Sequence, residues 1–309
     1  GSNPRYEATI LNARIRKAYL QNKTKIISLN DVGDLTYPYK FLDGDIENIK
    51  KIVEDSHEVS SLIKNAKKPL IIFGQSSLKS KSAKYVFESM KLFLKSNNKI
   101  TNEWNSLNVI SENASTVGSF DLGLYKTENG SNEVLKDLEN HKFEIVYLLG
   151  ADSVKFGKKN EFIIYQGSHG DKGAEMADII LPGAAYTEQN GYFTNLEGKL
   201  QKAFKASFPP DEAKEDWKII NELAESMNHR KLFNDKDELD SSLLNQINLY
   251  IEKDNSTKSS DIENLKFDKE ILKINTEDYY YSNVIARASR TMFECKKAKT
   301  YLKSTGAEG

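Results

Sequence analysis

Cysteine is nearly absent from this sequence: Cys295 is its single thiol. One thiol forms neither an intrachain disulfide nor a four-thiolate zinc site, and an iron–sulfur cluster takes about four thiolates. Histidine is scarce as well, and no two of the four residues His57, His141, His169 and His229 are three or four positions apart. The sequence therefore predicts no metal site within this chain, and Cys295 is interpreted as an ordinary thiol.

Long apolar runs and an excess of either charge are also missing. The 44 basic and 45 acidic residues give a net charge of -1, whereas proteins that bind nucleic acid carry a basic excess or a basic face. No window approaches the roughly 18 consecutive apolar residues of a membrane span, and the first residues lack the pattern of a secretory signal. We expect no nucleic-acid partner and no direct membrane span, in a chain whose length suggests about two domains.

Arginine is the third scarce residue, at six of the 44 basic residues, yet Arg5, Arg14 and Arg16 fall within the first sixteen positions. A guanidinium is a planar fork that lysine does not replace. With the amides and Asn3 of the opening segment, Arg5 would suit a pyrophosphate. Alternatively, these arginines and Glu7 form ion pairs that anchor a loop and a helix. The sequence alone leaves both interpretations open.

Four short apolar runs dominate what is present. Each run ends at a glycine, and helical patterns intervene; the runs are 69–74, 143–150, 162–167 and 177–183. Continuous apolar strands are typical of parallel sheets that are buried on both faces. The pattern predicts an α/β fold with an open, mostly parallel sheet of Rossmann-like βα units and right-handed crossovers. Further predicted elements are helices at 11–20, 46–66, 83–94 and 215–223, and a strand at 25–29.

The character of the chain changes after Pro209-Pro210. We predict an α/β domain over 1–210 and a partly helical C-terminal extension over 211–309. The extension contains a polar linker near 252–264 and a mixed amphipathic segment over 278–302.

Candidate ligand-binding residues follow the predicted strands, because ligands of parallel α/β sheets bind at the carboxyl ends of the strands. Asp152 is interpreted as an exposed loop residue or as a ribose-binding carboxylate. The loop 166–173 holds Ser168, His169, Asp171 and Lys172 and is interpreted as a flexible connection, or as a site for phosphate or acid–base chemistry.

The spacing of these residues argues against several kinds of site. Ser168 and His169 are adjacent, which is not the usual arrangement of a nucleophile and its base. Glu188 and Glu197 act as a pair only if the fold brings them together. Neither a dinucleotide fingerprint nor a phosphate-binding loop is present. We therefore assign no catalytic, cofactor-binding or metal residue.

Several segments resemble one family. They are 1–8 (GSNPRYEA) leading into 11–17 (LNARIRK), 177–188 (ADIILPGAAYTE), 191–201 (GYFTNLEGKLQ), 215–220 (EDWKII) and 285–295, which runs from Ile285-Ala286-Arg287-Ala288-Ser289 to Cys295. Together and in this order, they resemble the large iron–sulfur subunit family of respiratory complex I, the 75 kDa subunits of NADH:ubiquinone oxidoreductase. The run from 177 to 198 is shared more widely, with molybdopterin oxidoreductases.

The resemblance implies a molybdopterin oxidoreductase-like domain that keeps the fold without the molybdenum cofactor. It also implies that the iron–sulfur clusters lie in a missing N-terminal half or in a companion chain, so that this chain holds no cofactor. Lys199 stands where the family usually has arginine, which weakens a bidentate phosphate site. Because the chain starts inside a motif and without methionine, we expect a fragment, a partly represented subunit or the product of a split gene.

The function that follows is a structural, non-catalytic portion of a peripheral-arm subunit that supports electron transfer from NADH to ubiquinone. Its expected partners are other peripheral-arm subunits, including the cluster-binding half of the same subunit. The expected location is the matrix side of the mitochondrial inner membrane, or the cytoplasmic face of a bacterial one. The alternatives are the C-terminal half of a catalytic molybdopterin oxidoreductase of the formate dehydrogenase type, and a stand-alone nucleotide binder.

Overall fold

The structure is a computed structural model that describes residues 1–124, 131–154, 156–227, 230–251, 259–275 and 278–304. The chain divides into two compact units, and each is built from two segments. Unit 1 comprises Gly1–Asn113 and Asp254–Glu277, and unit 2 comprises Ala114–Lys253 and Asp278–Gly309. The predicted boundary near residue 210 stays a prediction.

The secondary structure is a mixture of short strands and helices. The strands are β1 Ile27–Ser28, β2 Lys40–Phe41, β3 Ile71–Gly74, β4 Leu107–Ile110, β5 Ile145–Leu149, β6 Phe162–Gly167, β7 Ile179–Pro182, β8 Gly191–Thr194 and β9 Leu200–Ala203. The helices are α1 Pro4–Glu7, α2 Thr9–Asn22, α3 Glu47–Val53, α4 Glu58–Asn65, α5 Gln75–Leu78, α6 Ala83–Ser96, α7 Thr116–Asp121, α8 Ser131–Glu139, α9 Lys172–Met176, α10 Asp216–Ser226, α11 Lys236–Ile251, α12 Ser259–Glu263, α13 Val284–Ala288 and α14 Arg290–Ser304, with a 3₁₀ turn at Tyr279–Tyr281.

Unit 1 is organised around the parallel pair β3–β4, whose register matches Ile71 with Leu107 and Gly74 with Ile110. Its core combines the apolar faces of α3, α4 and α6 with β3, and Leu94 and Val86 of α6 are almost completely buried. The spacing of these two residues places them on one helical stripe. Strands β1 and β2 form a second, short parallel pair.

The second segment of unit 1 is held on α6 by polar and aromatic contacts. Ser82 Oγ donates to the carbonyl oxygen of Asp268 at 2.9 Å and accepts from the Asp268 amide at 2.8 Å. The ring of Phe267 packs edge-on against Tyr85, with 5.0 Å between centroids. Residues from the last quarter of the chain therefore complete a unit that the first residues begin.

Unit 2 contains a three-stranded parallel sheet in the order β5–β6–β7. One face of this sheet is covered, and Ile163 and Tyr165 of the central strand are almost completely buried there with Leu148 and Phe156. The antiparallel hairpin β8–β9 belongs to the same unit. The tight turn of the hairpin uses Gly198, which has a φ of +78°.

The mixed α/β class and the mostly parallel pairing predicted from the sequence are confirmed. Within the described ranges the strands form four small sheets, and a single open Rossmann-like sheet stays a prediction. The predicted helix over 46–66 is two helices, α3 and α4, because the chain turns at Asp55 with a φ of +62°. Part of the predicted linker, 252–258, lies outside the described residues, and the remainder contains the short helix α12.

Candidate functional site

The carboxyl ends of β5, β6 and β7 bring together the loops that the sequence marked as ligand-binding. We call this region the carboxyl edge and define it as residues 150–152, 167–171 and 183. It exists because the strands are parallel and in register, with Leu149 beside Gln166 and Gly167 beside Pro182. Ligands of parallel α/β sheets bind at this kind of edge.

Tyr165, in strand β6, contacts the loop that follows this strand. Its side chain is almost completely buried, and its hydroxyl donates to the carbonyl oxygen of His169 at 2.9 Å. Burial raises the pKa of this phenol, and the charges of Asp152 and Asp171 raise it further. A Cβ at Gly167 would lie 2.3 Å from the Tyr165 hydroxyl oxygen, so this close approach requires glycine. The loop is therefore shaped by a buried side chain of the strand that precedes it.

Arg287 of α13 reaches the carboxyl edge and joins two of its carboxylates. The guanidinium Nε donates to Asp171 Oδ2 at 2.8 Å, and the same guanidinium is paired with Asp152 through a terminal nitrogen. The three side chains are 27%, 21% and 16% exposed for Arg287, Asp171 and Asp152. The expectation that Asp152 is an exposed loop residue is therefore wrong.

The electrostatics of this cluster favour the charged state of each group whose pKa is shifted. Burial acts to raise the pKa of Asp171, but the hydrogen bonds from Arg287 and the Lys172 amide outweigh it, so the pKa is lowered. Burial likewise opposes the charge of Arg287, and the two carboxylates reverse this effect and raise its pKa. Charge-assisted hydrogen bonds of this kind are roughly twice as strong as neutral ones.

A cavity of about 680 Å³ opens at the ends of β6 and β7. Its lining residues are Gly167, Ser168, His169, Pro182, Gly183, Glu188, Pro210, Asp211, Glu212 and Ala213. The lining therefore carries three carboxylates and neither lysine nor arginine. Such a lining repels anions.

Ser168 and His169 meet in this cavity, although adjacent residues were not expected to act together. Ser168 Oγ and His169 Nδ1 are 2.9 Å apart. Among the described residues, no carboxylate bonds the other ring nitrogen, so the orienting third group of a catalytic triad is missing from the described part of the chain. The two predicted carboxylates do not act as a pair here: Glu188 Oε2 accepts from the Ala185 amide at 2.9 Å, and Glu197 is exposed in the β8–β9 turn.

Asp216, at the first position of α10, forms a polar network that the sequence did not reveal. Its Oδ1 accepts from Gln166 Nε2 at 2.8 Å, and its Oδ2 accepts from Gln189 Nε2 at 2.9 Å. Gln166 is completely buried, and its Oε1 accepts from the Tyr147 hydroxyl at 2.5 Å. A buried glutamine inside an apolar strand is the signal that could have predicted such a partner.

The arginine-rich opening segment lies in unit 1, at the end of β3. Arg5 pairs with Asp34 at 2.6 Å, as the ion-pair interpretation expected for this residue. Glu7 instead accepts hydrogen bonds from the Asn3 amide at 2.7 Å and from the Ser2 hydroxyl. Arg14 and Arg16 are exposed and form no ion pair with the described residues.

The anchor of helix α2 is Asn12 rather than an arginine. Asn12 is buried, donates through Nδ2 to the Leu35 carbonyl oxygen at 3.1 Å and accepts from the Tyr37 hydroxyl at 2.7 Å. Arg5, Glu7 and Asn12 of the opening segment are thus all hydrogen-bonded to other residues of the chain.

The described ranges contain neither a metal-binding cluster nor a membrane-spanning helix. Within them, no group of three or more histidine, cysteine, aspartate or glutamate side chains is placed to hold a metal ion. Cys295 is exposed, and His229 lies outside the described residues. No helix in these ranges has both the length and the apolar character needed to cross a bilayer.

Comparison with known proteins identifies the family. Residues 1–226 match the model of the family described as molybdopterin oxidoreductase. The chain belongs to the molybdopterin oxidoreductase family. Residues 249–295 of the chain match a second family model, which describes the C-terminal region of the G subunit of NADH-ubiquinone oxidoreductase.

Curated relatives match almost the whole chain. The NADH-ubiquinone oxidoreductase 75 kDa subunit of Reclinomonas americana is 36% identical over 304 residues, which are 96% of this chain and 43% of the relative. The mitochondrial 78 kDa subunit of Candida albicans is 35% identical over 312 residues, 96% of this chain and 42% of the relative. The corresponding mitochondrial 78 kDa subunit of Neurospora crassa is 34% identical over 314 residues, which are 97% of this chain and 41% of the relative. The chain thus spans less than half the length of these relatives.

The name of the molybdopterin oxidoreductase family implies a phosphate-bearing pterin cofactor, and two candidate places among the described residues do not fit its phosphate. At the carboxyl edge of unit 2, the carboxylates are engaged by Arg287 and the neighbouring cavity is lined by acids. In the opening segment of unit 1, Glu7 Oε1 is buried without a hydrogen-bond partner, and a second anion beside it would be repelled. Both places therefore disfavour a phosphate group.

Proposed function

We propose that this chain is a structural, non-catalytic portion of the large iron–sulfur subunit in the peripheral arm of complex I. The observation that carries the proposal is the collinear likeness to relatives named as 75 kDa or 78 kDa subunits of NADH-ubiquinone oxidoreductase, over 96% or more of the chain. The second family match, at 249–295, extends that likeness into the C-terminal extension. In this role the chain supports electron transfer from NADH to ubiquinone without carrying electrons itself.

The polar chemistry of the carboxyl edge supports a structural role. Asp152, Asp171 and Arg287 satisfy one another, and Asp216 is engaged by two glutamines. Catalytic groups act on a substrate that reaches them, whereas these groups bind other groups of the same unit.

An apolar sheet face that is covered only in part, at Gln166, supports a role in assembly. Ile145, Leu149, Phe162 and Ile179 lie on one face of β5–β6–β7 and are 64%, 50%, 43% and 45% exposed. Parallel sheets in α/β proteins are almost always covered on both faces. The relatives are more than twice as long as their matched region. We assign the cover of this face to polypeptide equivalent to their remaining part, in the same chain or a companion chain.

The proposed cofactors and location follow from the same likeness. The iron–sulfur clusters belong to the cluster-binding half of the subunit, and this chain holds none. Two relatives are named as mitochondrial subunits, which supports the matrix side of the mitochondrial inner membrane as the location; a bacterial protein would face the cytoplasm.

The test is purification of the chain from its native source under mild conditions, followed by native electrophoresis and mass spectrometry. We expect the chain to migrate with other peripheral-arm subunits of complex I. Migration of the chain alone would refute the proposal. Molybdenum analysis of the same preparation separates the catalytic alternative, because a molybdopterin enzyme would contain the metal in stoichiometric amount.

A further inference from the structure

At the carboxyl edge, the family name implies a bound cofactor, but the hydrogen bonds in the structure do not fit one. An edge of this type presents carboxylates that bond the hydroxyl groups of a nucleotide ribose. Asp152 follows β5 and Asp171 follows β6, so both stand where such carboxylates are expected. However, an oxygen of each carboxylate already accepts a hydrogen bond from Arg287.

We propose that Arg287 is the ligand of this edge: its guanidinium takes the place of a ribose diol, which closes the edge to nucleotides and fastens the C-terminal extension to the sheet. The proposal depends on contacts within unit 2 and not on membership of complex I. It therefore stands or falls separately from the proposed function.

The hydrogen-bonding geometry supports replacement rather than a casual surface ion pair. Asp171 uses Oδ1 to accept the Lys172 amide at 2.8 Å and Oδ2 to accept Arg287 Nε at 2.8 Å. The guanidinium spans from this carboxylate to Asp152 on the neighbouring loop. A planar fork with five donors is suited to bridging two carboxylates.

The electrostatics make the exchange for a nucleotide unfavourable. A ribose diol would keep the ionised acceptors of Asp152 and Asp171 but would replace the cationic donor with neutral hydroxyls, so the attraction between opposite charges would be lost. It would also leave the partly buried guanidinium without its partners. In addition, the cavity at the ends of β6 and β7 carries Glu188, Asp211 and Glu212, and its lining has no cation for the phosphates of a nucleotide.

Contacts within the segment 278–304 fix the position of helix α13, which carries Arg287. Asn283 caps α13 by accepting the Ala286 amide at 2.9 Å, which fixes the start of the helix that carries the arginine. Lys296 of α14 pairs with Asp278 at 2.7 Å and lies 4.2 Å above the centroid of the Tyr281 ring. The segment from 278 to 304 is thus tied within itself, and Arg287 ties it to the carboxyl edge.

The first test is hydrogen exchange measured by mass spectrometry on the full-length protein. In Arg287→Ala we expect exchange in 278–288, 150–153 and 168–173 to rise about tenfold or more, because the tie is lost. Arg287→Lys should lie between this variant and the wild type, since lysine keeps the charge but not the fork. Arg290→Ala is the matched control, because Arg290 is exposed and has no ion-pair partner among the described residues. Equal exchange in Arg287→Ala and Arg290→Ala would overturn the proposal.

Two further variants guard against a general folding defect in Arg287→Ala. Asp152→Asn and Asp171→Asn keep side-chain volume and remove one charge each from the opposite side of the contact. Each should raise exchange in 278–288, and unchanged exchange in both would overturn the proposal.

The second test uses ADP and GDP at millimolar concentration as probes of the wild-type protein. We expect no protection of 150–153 and 168–173 and no binding heat in calorimetry. Protection of these loops by either nucleotide while Arg287 is present would show that the edge is open, and would refute the closure.

Discussion

Asp178 and Ile163 exchange two hydrogen bonds between β6 and the start of β7. The Ile163 amide donates to Asp178 Oδ2 at 2.8 Å, and the Asp178 amide donates to the Ile163 carbonyl oxygen at 2.8 Å. Lys158 adds an ion pair to the same carboxylate at 2.6 Å. The aspartate of the A-D-I-I-L-P segment thus completes the backbone hydrogen bonding of a fully buried residue.

Removing this carboxylate should destabilise unit 2. Asp178→Ala leaves the Ile163 amide without its acceptor, whereas Asp178→Asn keeps one oxygen in place, so we expect the alanine variant to be the less stable one. Urea denaturation of both variants measures the difference. Glu197→Ala, at an exposed turn position, should unfold at the wild-type midpoint. Equal stability of the two Asp178 variants would show that the hydrogen bond contributes little.

Acid should weaken the contact between Glu161 and His141. The amide of Lys159, at 2.7 Å, and the amide of Glu161 itself stabilise the charged carboxylate, and His141 adds a bond of 2.5 Å; together they lower the pKa of Glu161 from 4.5 to about 2. Because the folded-state pKa is the lower one, the stabilisation is complete above the unfolded-state value and is lost as the pH falls through 4.5 towards 2.

The measurement is the difference in unfolding free energy between the wild type and Glu161→Gln across a pH series. We expect this difference to shrink as the pH falls below about 5. Glu197→Gln serves as the comparison at an exposed position. A difference that does not change with pH would contradict the prediction.

Gly74 should not tolerate a side chain. A Cβ at this position would lie 2.1 Å from the carbonyl oxygen of Gly1 and 2.3 Å from the Ser2 Cβ, so the opening segment would have to move away from the end of β3. We expect Gly74→Ala to cost about 1–3 kcal/mol of unfolding free energy, as overpacking does in other proteins. Gly157→Ala is the control, since a Cβ there would meet no atom within 4 Å. Similar costs for both variants would contradict the prediction.

The exposed sheet face should be required for assembly. Ile179 lies on this face, and its neighbour Ile180 points to the opposite one, although both are about half exposed. We expect Ile179→Lys to reduce the amount of chain recovered with its partner subunits about tenfold or more, because a buried charge disfavours the contact. Ile180→Lys should leave recovery unchanged. Quantitative mass spectrometry of the purified assembly compares them, and equal recovery would refute a face-specific contact.

The strands were predictable where local sequence decides the structure. The runs before Gly74, Gly150 and Gly167 are continuous and apolar, and they became β3, β5 and β6. Strand β4 escaped prediction because Asn108 interrupts its four residues, and its stability depends on pairing with β3 rather than on its own pattern. The break between α3 and α4 escaped for a related reason, since a left-handed turn at Asp55 leaves no mark on the apolar spacing.

The position of the candidate site in the fold could be predicted from the sequence, but the contacts of its side chains could not. The sequence placed Asp152 and the loop 166–173 after predicted strands, and in the structure they follow β5 and β6. The partner of Asp152 and Asp171 is Arg287, which lies 135 and 116 residues further along the chain. No local pattern carries such a contact, and the family motif that contains Arg287 gives no indication of its partners.

The division of each unit into two chain segments has a consequence for synthesis and for genetic damage. Unit 1 ends with residues 254–277, and unit 2 resumes at Asp278. During translation, the core around α6 cannot be completed by Phe267 until most of the other unit has been made. A stop codon anywhere between 114 and 253 would therefore leave both units incomplete, so that even a late truncation would spare neither of them.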